Sequence, residues 1–535
     1  MKIKNIFLAL LAITAFSANL FAQEEGPAEN WFNQDAQENK ANGVSTEKAY
    51  EYLKGRKSKT VIVAVIDSGT DIDHEDLKDI AWTNTKEIAG NGIDDDNNGF
   101  IDDVHGWNFI GGKDGKNVGP DTYEVTREYK RLLPKFENKK ESKKADYLYW
   151  VKVRDAYLAD AEKAETQYAF YDSLQSYSLR YDKLLTAYLD IDTINLDAVT
   201  SISSTDEIIV TAADFMKRLL PRIEPTPIKE IVESLDGAVE HFGNQKDYAY
   251  SLTYNTREIV GDDPSNLKEV GYGNNDVIGT DTDNFHGTHV SGIIGAKRGN
   301  GIGIDGVANN VQIMAVRAVP DGDERDKDVA NAIRYAVDNG AQVINMSFGK
   351  AFSPNKSYVD AAIKYAESKG VLLVHAAGNS GEDTDVENNY PTKNLGKKKV
   401  ASNWIEVGAS SWGEGDKLAA SFSNYGKVNV DLFAPGVEIY STAPDNEYKN
   451  AQGTSMASPV TTGVAALLLS YFPDLSAADV KDILMKSVRT FDGLMVVKPG
   501  TKDEMVNFSE LSASGGIVNA YEAVKLADSR KVNSK

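Results

Sequence analysis

Cysteine is absent from the 535 residues. No disulfide, thiolate zinc site or lipid anchor on cysteine can form, so stability in an oxidising compartment must come from the core and from bound ions. Long apolar runs are scarce too: residues 6–16 and 460–469 both fall short of a comfortable membrane span. Positive charge is in deficit, with 58 Lys and Arg against 80 Asp and Glu and a net charge of −22. A phosphate backbone needs cations to neutralise it, which argues against a nucleic-acid partner.

What is present is ordinary for a soluble globular protein, 41 % hydrophobic and 26 % charged. The length predicts two to four folding units. Lys2 and Lys4 precede the apolar run 6–16, and small residues lead to Ala22. This is the layout of a secretory signal peptide over 1–22, cleaved after Ala22, and it predicts a secreted, periplasmic or cell-surface protein.

β-branched runs at 61–66, 312–319, 342–348, 371–376, 405–409 and 430–434 alternate with helical patterns. Val329, Ile333, Ala336 and Val337 share one helical face that Gly340 ends; Val359, Ala362, Ile363 and Ala366 repeat the pattern before Gly370. The run 460–469 predicts a buried helix. Such alternation predicts an α/β fold, a doubly wound, mostly parallel sheet with helices on both faces. Functional groups then belong at the carboxyl ends of the strands.

Three short segments carry the chemistry. Asp67 ends the strand pattern Val63-Ala64-Val65-Ile66-Asp67-Ser68-Gly69. His286 opens His286-Gly287-Thr288-His289-Val290-Ser291-Gly292, and Ser455 lies in Gly453-Thr454-Ser455-Met456-Ala457-Ser458-Pro459. A serine hydroxyl is a poor nucleophile near neutral pH; it needs a base within reach and a third group to orient that base. The order Asp, His, Ser differs from the trypsin-like and α/β-hydrolase orders. The three segments resemble the active-site blocks of the subtilisin-like serine proteases, the subtilases of the peptidase S8 family. The resemblance covers residues 31–119 and 254–527.

It implies a serine endopeptidase acting on polypeptides through Asp67, His286 and Ser455 with an acyl-enzyme intermediate, His289 being structural. Ala376-Ala377-Gly378-Asn379 matches the block whose Asn amide donates to the oxyanion, beside the Ser455 N–H. Ser347, Phe348 and Gly349 match the segment that pairs with the substrate strand, and Asn389 would lie at the floor of the primary pocket. That floor implies a medium to large apolar or neutral polar side chain in the substrate. Lys350 departs from the small residue usual there. Two rivals stay open: a transpeptidase or macrocyclase that passes the acyl group to an amine, and an inactive scaffold whose insertion binds a partner. The oligomeric state is not legible.

Between Asp67 and His286 lie 219 positions, far more than the family's few tens. The expected division is a peptidase domain over 23–120 and 255–535, interrupted by a helical insertion over 121–254. Within it Tyr157, Ala161, Ala164, Tyr168, Tyr171, Leu174, Tyr181, Leu184, Leu185 and Tyr188 recur at spacings of three and four. They predict a long hairpin plus two shorter helices, one of them starting at Thr226-Pro227. Residues 23–60 are too few for the inhibitory prodomain of about 70–80 residues that the family leads one to expect.

Calcium is the expected cofactor, at one or two structural sites. Asp94, Asp96, Asn98, Gly99, Phe100 and Asp102 take places one, three, five, six, seven and nine of an EF-hand-like loop. Place twelve is His105, so Asp103 or an outside carboxylate must complete the shell. By resemblance, Asp76, Asn300 and the carbonyls of Arg298, Ile302 and Ile304 form a second site, with Asp35 as its N-terminal ligand.

Overall fold

The computed structural model describes residues 26–223, 227–279, 284–396 and 398–533. The expected signal peptide, 1–22, lies outside the described residues. The chain divides into two compact units, one over Val125–Tyr254 and one comprising Pro27–Glu124 and Asn255–Lys535.

The larger unit is built on strands β1 (Val61–Asp67), β2 (Gly106–Asn108), β3 (Val311–Arg317), β4 (Val343–Met346), β5 (Leu372–Ala376), β6 (Trp404–Ser410) and β7 (Leu432–Pro435). The antiparallel hairpin β8 (Ile439–Ala443) and β9 (Glu447–Ala451) follows, then β10 (Arg489–Thr490), the pair β11 (Met495–Val497) and β12 (Met505–Asn507), and β13 (Gly516–Ile517). The main sheet runs β10-β13-β7-β6-β5-β4-β1-β3-β2 and is parallel except between β10 and β13. It is the α/β arrangement expected.

Seven helices of this unit matter below: α1 (Thr46–Leu53), α2 (Phe285–Gly295), α3 (Asp326–Asp338), α4 (Lys356–Lys369), α5 (Thr454–Tyr471), α6 (Ala477–Lys486) and α7 (Ala520–Asn533). Side chains of β1 alternate between two cores, as the pleat requires. Val61, Val63 and Val65 face the core with α1, α2, α5, α6 and α7; Ala64 and Ile66 face the core with α3 and α4. Gly370 closes α4 in the left-handed conformation, as its place in the sequence suggests. The chain proceeds from β1 to β2 and β3 on one side and to β4 on the other, so the sheet reverses order at β1/β4. Asp67 and Met346 are the last residues of these two strands, which sets a crevice at their carboxyl ends.

In the smaller unit Ala145–Leu189 is one unbroken helix of 45 residues, and Glu124–Phe136 pairs with its first turns as a helical hairpin, Tyr129 stacking on Trp150 and Phe136 meeting Tyr147. Helices Glu207–Ile223 and Ile228–Asn244 pack on it, around Leu185, Met216, Leu219 and Val232. Pro227 itself caps the second of these, while Thr226 lies outside the described residues. The tyrosine stripe divides: Tyr157 stacks on Tyr129, Tyr171 stacks on Phe242, and Tyr188 is exposed. The units part after Glu124, four residues beyond the boundary read from sequence. Pro120 pairs with Asp321, and Arg325 holds both oxygens of Asp121, which keeps 121–124 with the sheet. Among the described residues no helix is long and apolar enough to cross a membrane.

Candidate active site

Asp67 is placed by the end of β1, where its backbone carbonyl accepts from the N–H groups of Ala318 and Val319. Its side chain is almost wholly buried. Oδ1 accepts from the Ser68 N–H at 2.8 Å and lies 2.7 Å from His286 Nδ1. His286 sits in the first turn of α2 with its side chain 36 % exposed. Gly287 permits the approach: a Cβ there would stand 2.1 Å from the Gly69 carbonyl oxygen. Burial works against a charged imidazole, but the Asp67 carboxylate outweighs it by charge and by hydrogen bond, and the His286 pKa lies above its ordinary 6.5.

Three residues on, His289 is fully buried, with Nε2 2.9 Å from the Lys449 carbonyl oxygen in β9. Burial pulls its pKa down to about 4, so it stays neutral, in keeping with a packing role.

Ser455 lies in the first turn of α5, which packs against α2. Backbone N–H groups there lack intrahelical acceptors and point toward the crevice end of the helix. The Ser455 hydroxyl donates to the Ser347 carbonyl oxygen at 3.2 Å, and among the described residues no hydrogen bond joins it to His286. Catalytic hydrogen bonds are often loose before substrate arrives. In return the Ser347 hydroxyl donates to the Ser455 carbonyl oxygen at 2.9 Å.

Asn379 follows β5 and is exposed. Its Oδ1 accepts from both the N–H and the hydroxyl of Thr454, at 2.8 and 2.9 Å, which leaves Nδ2 as the outward donor. Ser347, Phe348 and Gly349 continue from β4; Phe348 is half-buried and Gly349 exposed. Asn389 donates to the Ala376 carbonyl oxygen at 3.1 Å, and a Cβ on Gly349 would meet its Oδ1 at 2.4 Å. The structure thus brings Asn389 against the segment 347–349.

The profile of the subtilase family matches residues 58–511. The chain belongs to the subtilase family. It is 44 % identical over 205 residues to the thermophilic serine proteinase of Bacillus sp. (strain AK1), covering 38 % of this chain and 47 % of that protein. It is 40 % identical over 204 residues to subtilisin DY of Bacillus licheniformis, covering 38 % and 69 %. It is 37 % identical over 243 residues to thermitase of Thermoactinomyces vulgaris, covering 45 % and 75 %. The chain thus spans about half the length of the first of these relatives.

The acidic loop of this subtilase departs from the expected ligand set. Carboxylate oxygens of Glu87, Asp94 and Asp96 lie within 4.8 Å of one another. Such a set of hard oxygen donors suits Ca²⁺. Asp102 is not among these three; its two oxygens accept from the N–H groups of Asn91 and Gly92, at 3.2 and 2.8 Å. Asn98 donates to Asp103 at 3.0 Å, while its Oδ1 accepts from the Phe100 N–H at 2.8 Å. The Phe100 ring packs on Trp107 and Tyr335, fixing the loop's far end.

At the second place Asn300 Nδ2 donates to Asp76 Oδ1 at 2.7 Å, so the amide presents its nitrogen to the carboxylate. Asp35, the expected N-terminal ligand, makes its hydrogen bonds locally. Its carboxylate accepts from the Ser45 hydroxyl and the N–H groups of Gln37 and Glu38, with Lys48 3.7 Å away, and so organises its own loop. Among the described residues the first place brings together three carboxylates that fit a cation.

Sequence reasoning passed over Asn345 and Thr454. Asn345 is wholly buried; its Nδ2 donates to the Ser347 hydroxyl, and its Oδ1 accepts from the hydroxyls of Ser458 and Thr462. It ties the end of β4 to the second and third turns of α5. A buried Asn in a strand pattern was the available signal.

Proposed function

We propose that this subtilase is a secreted endopeptidase that hydrolyses peptide bonds through Asp67, His286 and Ser455. The 2.7 Å bond between His286 Nδ1 and Asp67 carries this reading. With Nδ1–H committed to the carboxylate, Nε2 is the basic nitrogen, free to take the Ser455 proton as the hydroxyl attacks the scissile carbonyl. Asp67 stabilises the imidazolium that forms. The oxyanion accepts from the Ser455 N–H and from Asn379 Nδ2, whose outward aim Thr454 fixes. His286 then protonates the leaving amine, and water releases the acyl group by the same path.

The peptide adds as a strand to 347–349, with the side chain before the scissile bond against Asn389. That neutral amide, close to Gly349, supports a medium to large apolar or neutral polar residue there. Residues 1–22 are removed on export, and 23–120 with 255–535 carry the peptidase. Glu87, Asp94 and Asp96 would hold one Ca²⁺, whose charge offsets their mutual repulsion and stabilises the loop.

The test is Ser455→Ala, assayed with a fluorophosphonate probe and a peptide substrate. Labelling should vanish and hydrolysis fall at least about 10³-fold. A variant that labels and cleaves like the wild type would refute the triad.

A further inference from the structure

Burying an ammonium group costs several kcal/mol unless its geometry is well satisfied, and an apolar residue of similar volume is often as stabilising. Lys350 stands directly after the segment 347–349 with its side chain 2 % exposed. Its backbone exchanges both hydrogen bonds with Tyr390, the neighbour of Asn389. Its Nζ lies 2.8 Å from Glu124 Oε2, 2.7 Å from the Glu324 carbonyl oxygen and 2.9 Å from Asp326 Oδ1. A well-satisfied buried charge beside the substrate segment calls for a role beyond stability.

The partners show what that role is. Asp326 begins α3, and four successive residues at this helix start all hold charged partners. Arg325 grips Asp121, Asp326 meets Lys350, Lys327 meets Asp262 and Glu269, and Asp328 accepts both Nη atoms of Arg257. Glu124 is also fixed by its backbone, whose N–H donates to Asp323 at 2.8 Å. Asp121 and Glu124 close the stretch by which the chain leaves this unit; Arg257 and Asp262 open the stretch by which it returns. One turn of α3 therefore anchors both ends of the interruption, and Lys350 joins that turn to the segment 347–349.

We propose that Lys350 is a positioning residue for substrate binding, fixing 347–349 to the start of α3 through Glu124 and Asp326. This rests on the reading of 347–349 as the substrate-binding segment. The network sets where that segment lies, and hence how well an extended peptide pairs with it. Asn345, through Ser347, Ser458 and Thr462, holds the Ser455 end of the segment to α5 independently of Lys350, so the shift falls on 348–349 and spares the triad.

The test compares wild type, Lys350→Met, Glu124→Gln and the double variant on two substrates. One is a hexapeptide amide long enough to pair along 347–349; the other is a single-residue ester too short to do so. KM for the hexapeptide should rise about tenfold in each single variant and no further in the double, with kcat and both ester constants within about twofold of wild type. An unchanged hexapeptide KM in folded variants overturns the proposal. So does an equal loss on both substrates, which a merely structural role would give. Should Lys350→Met not fold, Glu124→Gln, which leaves Lys350 with Asp326, decides alone. A wild type that turns over neither substrate and does not label with a fluorophosphonate overturns the peptidase reading itself, and this proposal with it.

Discussion

Gly287→Ala should disable the site while changing a single hydrogen into a methyl group. Helix propensity alone would favour the substitution by about 1 kcal/mol. Sterics oppose it. The new Cβ would stand 2.1 Å from the Gly69 carbonyl oxygen and 3.1 Å from Asp67 Cβ. A comfortable carbon–oxygen contact is about 3.3 Å, so α2 and the end of β1 must part by roughly 1 Å. The closest atom is backbone just past the end of β1, which cannot swing aside as the far end of a flexible side chain would. The 2.7 Å bond between His286 and Asp67 spans this same gap. Stretched by about 1 Å, it leaves hydrogen-bond range. Overpacking of this kind costs about 1–3 kcal/mol of stability, and misplacing a catalytic group by 1 Å costs about 10²-fold in rate. Thermal melting, peptide turnover and the fluorophosphonate labelling rate read these effects separately. A folded Gly287→Ala protein with turnover within about threefold of wild type would show that the close approach does not hold the dyad.

Two further outcomes concern the site and a third the acidic loop. Since the neutral imidazole is the base, kcat/KM should rise with pH through an apparent pKa above about 6.5. Asp67→Asn removes the group that raises it, so the midpoint should fall, with the plateau lower by about 10⁴-fold; an unmoved midpoint refutes the coupling. The same ion pair stabilises the fold below about pH 6.5, and that contribution fades as the pH climbs through the raised His286 value. In the Ser455→Ala background, Ca²⁺ at about 100 times its dissociation constant should add about 2.7 kcal/mol over chelator, and Glu87→Gln should erase most of the gain. Equal melting temperatures with and without Ca²⁺ would remove the ion from the account.

The strands and the Asp–His pair were legible because their signals are local. A β-branched run ending in Asp67, and a helix start at His286, each fold much the same way whatever lies between them. Glu87 was hidden because it reaches the acidic loop through a turn seven residues upstream of Asp94. The aim of Asp102 was hidden for a related reason: its backbone is in the left-handed region, at φ 54°, and its carboxylate turns back to Asn91 and Gly92. Loop ligand patterns fix spacing, whereas backbone conformation fixes aim. Asp35 likewise had Ser45 nearer to hand. Strands as short as β2 and β10 are defined by pairing with distant partners and leave little trace in composition. Lys350 could be seen to break a pattern, but its partners come from three separate segments that only the fold assembles.

The parallel sheet has a consequence for synthesis. Val61 of β1 pairs with Val311 of β3, 250 positions later. At about 5–20 residues per second the ribosome takes about 10–50 s to supply that partner. The helical unit in between is built from contacts closer in sequence, and forming it first shortens the loop that the pairing must close. Until then Val61-Ile62-Val63-Ala64-Val65-Ile66, uncharged and rich in β-branched residues, has neither neighbour in place. Such a hexapeptide is the kind that stacks with copies of itself. The nascent chain thus carries an aggregation-prone stretch unpaired through nearly half of its translation, the period when a holding chaperone would matter most.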